Sequence, residues 1–147
     1  MEQTLIIFKP DAVQRGLAGE IIARFEKRGI KVAGLKMIRM DKELAEKHYA
    51  EHKGKEFFPG LIKYITSSPV IVGVLQADNV IWIVRTMTGA TNPIDANPGT
   101  IRGDHALHTS MNIIHASDSL KSAEREISLF FDESEILDYE RVDAGWV

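Results

Sequence analysis

The chain has 147 residues, 44% hydrophobic and 27% charged, which is typical of one globular domain spanning residues 1–147. Its formal net charge of −3 argues against nucleic acid as the main partner. It has no cysteine, no apolar run near the roughly 20 residues of a membrane span and no basic signal-peptide region. We therefore expect a soluble, cytoplasmic protein without disulfides, thiolate metal sites or a membrane partner.

The first part of the chain predicts two strands with a helix between them. Leu5–Phe8 is a short apolar run typical of a buried strand. Apolar residues then recur every four positions over residues 13–25, which predicts a helix whose first turns Gly16 and Gly19 interrupt. The partly alternating residues 30–40 predict the second strand.

The middle of the chain continues this alternation as far as a long loop. Asp41 is expected to cap one helix, a second short helix follows Pro59, and Pro69–Leu75 predicts a third strand. The β-branched residues of Val80–Val84 favour a strand by propensity alone. Gly89–Ser110 has several prolines and glycines and no sustained period, and such a long loop in a compact domain is usually functional.

A histidine follows the last apolar run. Met111–Ile114 predicts a short buried strand with His115 at its end. Ser117 and Asp118 are N-cap residue types, and a helical pattern starts just after them. His115 is thus predicted between a strand and a helix, a rigid support for a reactive side chain. The alternative is a core histidine with satisfied hydrogen bonds.

Glu126 lies at the border of the apolar face of the last helix. From there its carboxylate could face the end of the His115 strand and fix the tautomer of the imidazole. The alternative is a capping or surface glutamate. The apolar face itself is formed by Leu120, Ala123, Ile127 and Phe130.

The order of these elements favours an α/β sandwich with one sheet, and a split β-α-β arrangement of four strands fits it. Residues 136–147 are expected to cover the surface as a tail. Its anchors are predicted to be Leu137, Tyr139 and Trp146.

Side chains of the types that bind phosphate end the first strand or flank the long loop. Arginine matches phosphate oxygens with its planar fork, and lysine contributes a point charge. Arg102 is the strongest case, because small residues on both sides would let the backbone approach a ligand. For each candidate alone, the alternative is a solvated surface residue. The candidates are Lys9, Arg85, Thr91, Arg102 and Asn112.

Two further pairs allow a functional interpretation. Phe57 and Phe58 are adjacent and cannot bury equally well, so one is a candidate stacking surface for a base; alternatively both lie in the core. His105 and His108 have a spacing that a metal could use on a helix, but no third ligand lies near in sequence.

Taken together, the residues from Thr4 to Trp146 resemble the nucleoside diphosphate kinase family. The resemblance rests on five motifs in the right order, which is far more specific than any one of them. The motifs are Phe8-Lys9-Pro10-Asp11, Phe57-Phe58-x-Gly60-Leu61, Gly89-x-Thr91-Asn92-Pro93, Pro98-Gly99-Thr100-Ile101-Arg102-Gly103-Asp104 and Asn112-Ile113-Ile114-His115-x-Ser117-Asp118.

The resemblance implies a ferredoxin-like α+β sandwich: a four-stranded antiparallel sheet with helices on one face, and a helix at Val80–Val84. It implies an enzyme that transfers the γ-phosphate of a nucleoside triphosphate, mainly ATP, to a nucleoside diphosphate. The transfer would be ping-pong through a phosphohistidine at Nδ1 of His115, with water kept out, and would maintain the triphosphate pools.

The resemblance also assigns roles to the other site residues. The five phosphate-binding candidates would hold the phosphates and ribose, and Phe57 would stack on the base with little base preference. Tyr49 would pack near His115, and Ser117 and Glu126 would orient it. Mg²⁺ would bridge the nucleotide phosphates without direct protein ligands, with Asp118 a candidate contact through water. The family forms homo-oligomers, tetramers or hexamers.

Some positions depart from the family, none of them in the phosphate set. Ala116 replaces a usual glycine, which costs about 1 kcal/mol if the position needs positive φ. Lys55-Glu56 replaces Arg-Pro, His105 replaces an aromatic residue, and Trp82 is unusual in its place.

Two competing functions are a nucleotide- or nucleic-acid-binding regulatory module on the same fold and a degenerate structural member. The acidic balance argues against the first, and the intact set of phosphate-binding residues argues against the second.

Overall fold

The computed structural model describes residues 1–147 and contains one antiparallel sheet of four strands. The strands are β1 (Glu2–Phe8), β2 (Lys31–Ile38), β3 (Val70–Ala77) and β4 (Ile114–Ala116), in the spatial order β2-β3-β1-β4. In the centre, β1 pairs with β3 from Glu2↔Ala77 to Phe8↔Ile71. On its other side β1 pairs with β4, which places His115 opposite Ile7.

Seven α-helices connect and cover the strands. They are α1 (Pro10–Gln14), α2 (Ala18–Lys27), α3 (Lys42–His48), α4 (Phe58–Ile65), α5 (Val80–Thr88), α6 (Ile101–His105) and α7 (Leu120–Phe130). Single 3₁₀ turns lie at Ala50–His52, Pro93–Asp95, Glu133–Glu135 and Ala144–Trp146. None of the helices combines the length and the apolar character that crossing a bilayer requires.

Helices cover both faces of the sheet. Alternate side chains of β1 point to opposite faces, so Ile6 and Phe8 join a core with α1, α2, α5 and α6. Leu5 and Ile7 join a second core with α3, α4 and α7. The α+β sandwich with four antiparallel strands is therefore confirmed, but the expectation of helices on one face is wrong. Because both sides of β1 are apolar, each side must be covered.

The structure resolves two open points of the sequence: the type of element at Val80–Val84 and the helix interruptions predicted at Gly16 and Gly19. Val80 and Val84 are one helical turn apart and fully buried, so α5 forms where β propensity favoured a strand. Gly16, at φ 68°, separates α1 from α2 as expected. Gly19 lies inside α2, so the second predicted break is wrong.

Capping followed the prediction at α3 and differed at α7. The carboxylate of Asp41 accepts a hydrogen bond from the Leu44 backbone N–H at 2.8 Å. The cap of α7 is Ser119, whose Oγ accepts from the Ser122 N–H at 3.0 Å, rather than Ser117 or Asp118. The last strand is also shifted toward the C-terminus, so that His115 lies inside β4 and not after it.

Hydrogen bonds to β2 anchor the C-terminal tail, and Ile136 packs against the second core. The Leu137 N–H donates to the Ala33 carbonyl at 2.8 Å, and the Tyr139 hydroxyl donates to the Val32 carbonyl at 2.6 Å. The side chains of Leu137 and Trp146 are 62% and 89% exposed, so Leu137 anchors the tail through its backbone and the indole ring of Trp146 is not a buried anchor. Tyr139 is an anchor, through its hydroxyl group.

The backbone at Ala116 predicts the effect of restoring glycine there. Ala116 is a buried strand residue opposite Ile6 and is not among the positive-φ residues, so alanine carries no conformational penalty. Ala116→Gly should therefore lower the free energy of unfolding by about 0.5–1 kcal/mol, which urea denaturation at fixed protein concentration measures. The exposed Ala144→Gly serves as control. A gain in stability from Ala116→Gly would contradict this account.

Candidate active site

His115 is held at one ring nitrogen and free at the other. Its Nε2 lies 2.8 Å from Oε1 of Glu126, which projects from α7. A carboxylate accepts a hydrogen bond, so Nε2 carries the proton. Nδ1 makes no hydrogen bond within the protein, and the side chain is 21% exposed. The ring is therefore oriented with an available Nδ1 lone pair, the arrangement of a nucleophile.

The carboxylate of Glu126 also accepts a second hydrogen bond. The Ser117 hydroxyl donates to the same Oε1 at 2.7 Å, and Ser117 Oγ accepts from the Leu5 N–H at 3.1 Å. Burial by itself raises the pKa of Glu126, but the hydrogen bonds from His115 and Ser117 bring it below its ordinary value. Glu126 is thus a charged, almost fully buried acceptor, and it faces the His115 strand as the sequence interpretation supposed.

Lys9 is joined to the long loop through Asn112. Lys9 Nζ donates to Asn112 Oδ1 at 2.7 Å, and Asn112 Nδ2 donates to the Thr91 carbonyl at 2.9 Å. Burial lowers the pKa of Lys9 to about 8, and the positive charge of Arg102 adds to the effect. The side-chain amide of Asn112 thus uses its oxygen and its nitrogen at once, and it positions both Lys9 and the Thr91 backbone.

Two arginines donate to the carbonyls on either side of His115. Arg102 Nη2 donates to the Ile114 carbonyl at 2.6 Å, and Arg85 Nη1 donates to the Ala116 carbonyl at 3.1 Å. Burial lowers the pKa of Arg102 to about 10, with a contribution from the charge of Arg85. Both guanidinium groups stay charged at neutral pH. The structure therefore brings two of the predicted phosphate-binding cations to His115.

Two of the small residues around Arg102 shape the loop itself. A Cβ on Gly103 would lie 2.0 Å from the Asn97 carbonyl oxygen, which explains the glycine. The Thr100 hydroxyl accepts from the Gly103 N–H at 3.0 Å and caps α6, so residues 89–110 include regular structure. Gly103 therefore has a structural reason within the loop, and the approach of a ligand at Arg102 stays a prediction.

A strained turn at Ile113 leads into the catalytic strand. Ile113 has φ 76°, which is a rare conformation for a β-branched residue and costs about 1–3 kcal/mol. The Ile114 N–H donates to the Asn112 carbonyl at 2.8 Å, which closes a γ-turn. Asp11 accepts from the Ile113 N–H at 3.0 Å, and the Tyr64 hydroxyl donates to the same carboxylate.

Asp11 and Tyr64 are functional residues that the sequence interpretation missed. Asp11 was visible within the first motif, but the sequence interpretation assigned it no role in the site. Tyr64 carried no signal, because its contact with Asp11 joins positions 53 residues apart. Together they hold the turn that directs Asn112 toward Lys9.

A row of aromatic rings runs from His115 to Phe57. Each ring lies close to the next one in the row. The distances between consecutive ring centroids are 4.7 Å for His115–His48, 4.5 Å for His48–Tyr49, 6.2 Å for Tyr49–His52 and 5.3 Å for His52–Phe57. Tyr49 is thus linked to His115 through His48, a residue to which the sequence interpretation assigned no role in the site.

The two neighbouring phenylalanines separate as one exposed ring and one core ring. Phe57 is 54% exposed, whereas Phe58 packs against the core, so the alternative that both are core residues is wrong. Lys55 is one of the residues that differ from the family pattern, and its Nζ lies 5.7 Å from the ring centroid of Phe57. Trp82 is 69% exposed on α5 and belongs to neither core.

The sequence pair His105 and His108 does not form a metal site. His105 Nε2 lies 3.4 Å from Glu20, and the group with metal-ligand residue types is instead His48, His115 and Glu126. Their donor atoms lie within 4.8 Å of one another, whereas ligands around tetrahedral zinc are about 3.4 Å apart. Two of the three, His115 and Glu126, are joined by the 2.8 Å hydrogen bond, and the ring of His48 makes no hydrogen bond.

Asp118 has the properties expected for an outer ligand of Mg²⁺. It is exposed, and hydrogen bonds from Ser122 and Ser119, together with the charge of Arg85, keep the pKa of its carboxyl group below the ordinary value. Mg²⁺ prefers oxygen ligands and retains several waters. An ionised, exposed carboxylate near Arg85 fits a contact through water.

Comparison with known proteins identifies relatives over almost the whole chain. The family model described as nucleoside diphosphate kinase matches residues 2–136. A nucleoside diphosphate kinase of Archaeoglobus fulgidus is 54% identical over 100% of this chain and 97% of that protein. One from Pyrococcus horikoshii is 60% identical over 99% and 94%.

Solved structures agree with these relatives. The halophilic nucleoside diphosphate kinase of Halobacterium salinarum, in complex with CDP, superposes with a TM-score of 0.97 at 48% identity. The match covers 99% of this chain and 97% of that one.

The Glu126 contact predicts a tautomer that NMR can measure. In ¹⁵N-histidine-labelled protein we expect the neutral ring of His115 to carry its proton on Nε2 and not on Nδ1. Glu126→Gln keeps the shape but removes the charge that favours the Nε2 proton, so both tautomers should be populated. Glu124→Gln, on the exposed side of α7, is the control. The same tautomer ratio in the wild type and in Glu126→Gln would contradict this role.

The lowered pKa of Lys9 predicts how anion binding depends on pH. Protonated Lys9 attracts anions, so affinity for tripolyphosphate should be full below pH 8 and begin to fall as pH rises through about 8. An ordinary lysine would retain its charge to about pH 10. Lys9→Arg keeps its charge, so calorimetric titration from pH 7 to 9.5 should show a flatter profile. Parallel profiles for the two proteins would exclude Lys9 as the cause.

Proposed function

The chain belongs to the nucleoside diphosphate kinase family, and from this premise we propose that Nδ1 of His115 carries the phosphoryl group that the enzyme transfers from a nucleoside triphosphate to a nucleoside diphosphate. The observation that carries the proposal is the asymmetry of the ring. Nε2 is bound to Glu126, and Nδ1 has no protein partner.

The reaction consists of two half-reactions at the same atom. The Nδ1 lone pair forms a bond to the γ-phosphorus, and the bond from this phosphorus to the bridging oxygen breaks. The electron pair of that bond stays on the departing nucleoside diphosphate. A second nucleoside diphosphate then attacks the phosphorus with a terminal phosphate oxygen, and Nδ1 regains its lone pair. The mechanism is ping-pong and covalent.

Glu126 balances the charge that His115 gains. When Nδ1 binds phosphorus while Nε2 keeps its proton, the imidazole ring becomes positively charged. The carboxylate at 2.8 Å compensates this charge without moving, because Ser117 already holds it. Such a preorganised group requires little rearrangement during the reaction.

The cationic cluster binds the phosphates and stabilises the transferring group. Lys9, Arg85 and Arg102 offset the negative charge that spreads over the phosphoryl oxygens in the transition state. Their support is the hydrogen-bond geometry that gathers them around residues 112–116. Thr91 and Asn112 hold the ribose and phosphates from the loop side.

Phe57 stacks on the base of the nucleotide. Its exposed ring ends the aromatic row that begins at His115, so base and phosphate sites lie along one wall. Every base has a π-face, and stacking is therefore tolerant of base identity.

Mg²⁺ is the proposed cofactor, held by the nucleotide phosphates with Asp118 contributing through water. When bound, it neutralises charge on the phosphates. The chain's own residues hold the phosphates, orient His115 and keep water out.

Four further properties are proposed on the resemblance. The chain is a single domain over residues 1–147, it acts in the cytoplasm, it maintains the triphosphate pools, and it assembles as a tetramer or hexamer. Nothing in the fold or the site favours the alternative of a regulatory binding module.

Label transfer tests the carrier role. The protein is mixed with ATP labelled at the γ-phosphate and Mg²⁺, isolated, and then given unlabelled GDP. We expect label on the wild-type chain that is lost in acid, survives base and moves to GTP. His115→Ala should remain folded, take up no label and lose at least about 10⁴-fold in turnover, because the nucleophile is gone.

The exposed His108→Ala is the control and should behave as the wild type. Retained turnover in His115→Ala would overturn the proposed carrier.

A further inference from the structure

His48 is a buried imidazole without a role in the mechanism above. It is 3% exposed, and neither Nδ1 nor Nε2 has a hydrogen-bond partner within the protein. Unpaired polar atoms are costly in a protein interior, and an apolar ring of similar shape would avoid the cost. Packing alone therefore does not explain a histidine here.

The ring of His48 lies directly against the ring of His115. The centroids are 4.7 Å apart and the planes meet at 85°, an edge-to-face contact. The ring of His48 is itself packed against two aromatic rings, with centroid distances of 4.5 Å to Tyr49 and 5.3 Å to Phe130. His48 thus limits rotation of the carrier ring out of the plane in which Nε2 meets Glu126.

One helix positions both imidazoles. Arg125 on α7 donates to the Lys47 and His48 carbonyls, each at 3.2 Å, and so holds the end of α3. The next residue of α7, Glu126, holds His115. The distance between the two rings is therefore set by adjacent residues of a single rigid element.

We propose that His48 is a positioning residue for phosphoryl transfer, which fixes the plane of the His115 ring and presents a polar, uncharged ring to the positive charge that His115 gains. The imidazole of His48 has a dipole and two unpaired ring nitrogens that a phenyl ring lacks, and a dipole held rigidly beside a developing charge stabilises it. The inference rests on the proposed carrier role of His115.

The surroundings keep His48 neutral. Burial lowers its pKa to about 2, and the charges of the facing groups contribute in the same direction. Those groups are His115, Arg125, Lys9 and His52. A neutral ring adds no repulsion when His115 becomes positive, whereas an ionised one would oppose the reaction.

Single-turnover phosphorylation of His115 by ATP and Mg²⁺ in rapid quench, with steady-state KM and thermal unfolding, tests the role. His48→Phe keeps the ring but removes the polar atoms. We expect an unchanged or higher Tm, a phosphorylation rate constant about tenfold lower, and a KM near the wild-type value. His48→Gln should recover part of the rate, because it restores polar atoms.

The exposed His108→Phe is the matched control and should match the wild type. A wild-type rate in His48→Phe would overturn the proposal and leave His48 as packing. Should His48→Phe fail to fold, equal rates in His48→Gln and His48→Leu would overturn it, and a faster His48→Gln would support it. Absence of label on wild-type His115 would instead refute the carrier role, so the two failures are distinguishable.

Discussion

The buried carboxylate of Glu126 is the contact on which the site depends. It accepts hydrogen bonds from His115 on β4 and from Ser117, and Ser117 accepts from the backbone of Leu5 in β1. One side chain therefore couples α7 to two neighbouring strands and selects the tautomer of the nucleophile. A charged group can remain buried here because its partners satisfy it, and the same partners are those the chemistry requires.

In contrast to Glu126, the cations Lys9 and Arg102 near His115 are desolvated without an ion-pair partner. Burial lowers the pKa of both Lys9 and Arg102, and the charge of Arg102 lowers that of Lys9 further, while the more distant carboxylate of Asp11 offsets only part of the effect on Lys9. Neutral acceptors hold them in place: the Asn112 amide and the carbonyls around His115. The free enzyme thus holds desolvated positive charge at the cost of stability, a cost that bound phosphate groups would relieve under the proposed function.

Some elements could be predicted from the local sequence pattern, whereas others depend on tertiary packing. Apolar periodicity predicted β1, β2, β3 and α7 because each buries a regular face. Periodicity was insufficient at Val80–Val84, where β-branched side chains favoured a strand and burial of one helical face decided for α5. It was also insufficient at Ile113, since a positive φ at a β-branched residue depends on Asp11, which lies far away in sequence.

The sequence by itself determined the family, the four strands and the set of residues that could bind phosphate or carry a phosphoryl group. These properties follow from residue types and spacing along the chain. Only the tertiary structure decided which nitrogen of His115 is free, that helices cover both faces of β1, and that His48 lies against the nucleophile. Periodicity reports that a side chain is buried, but the partner that meets it is chosen by packing between distant elements.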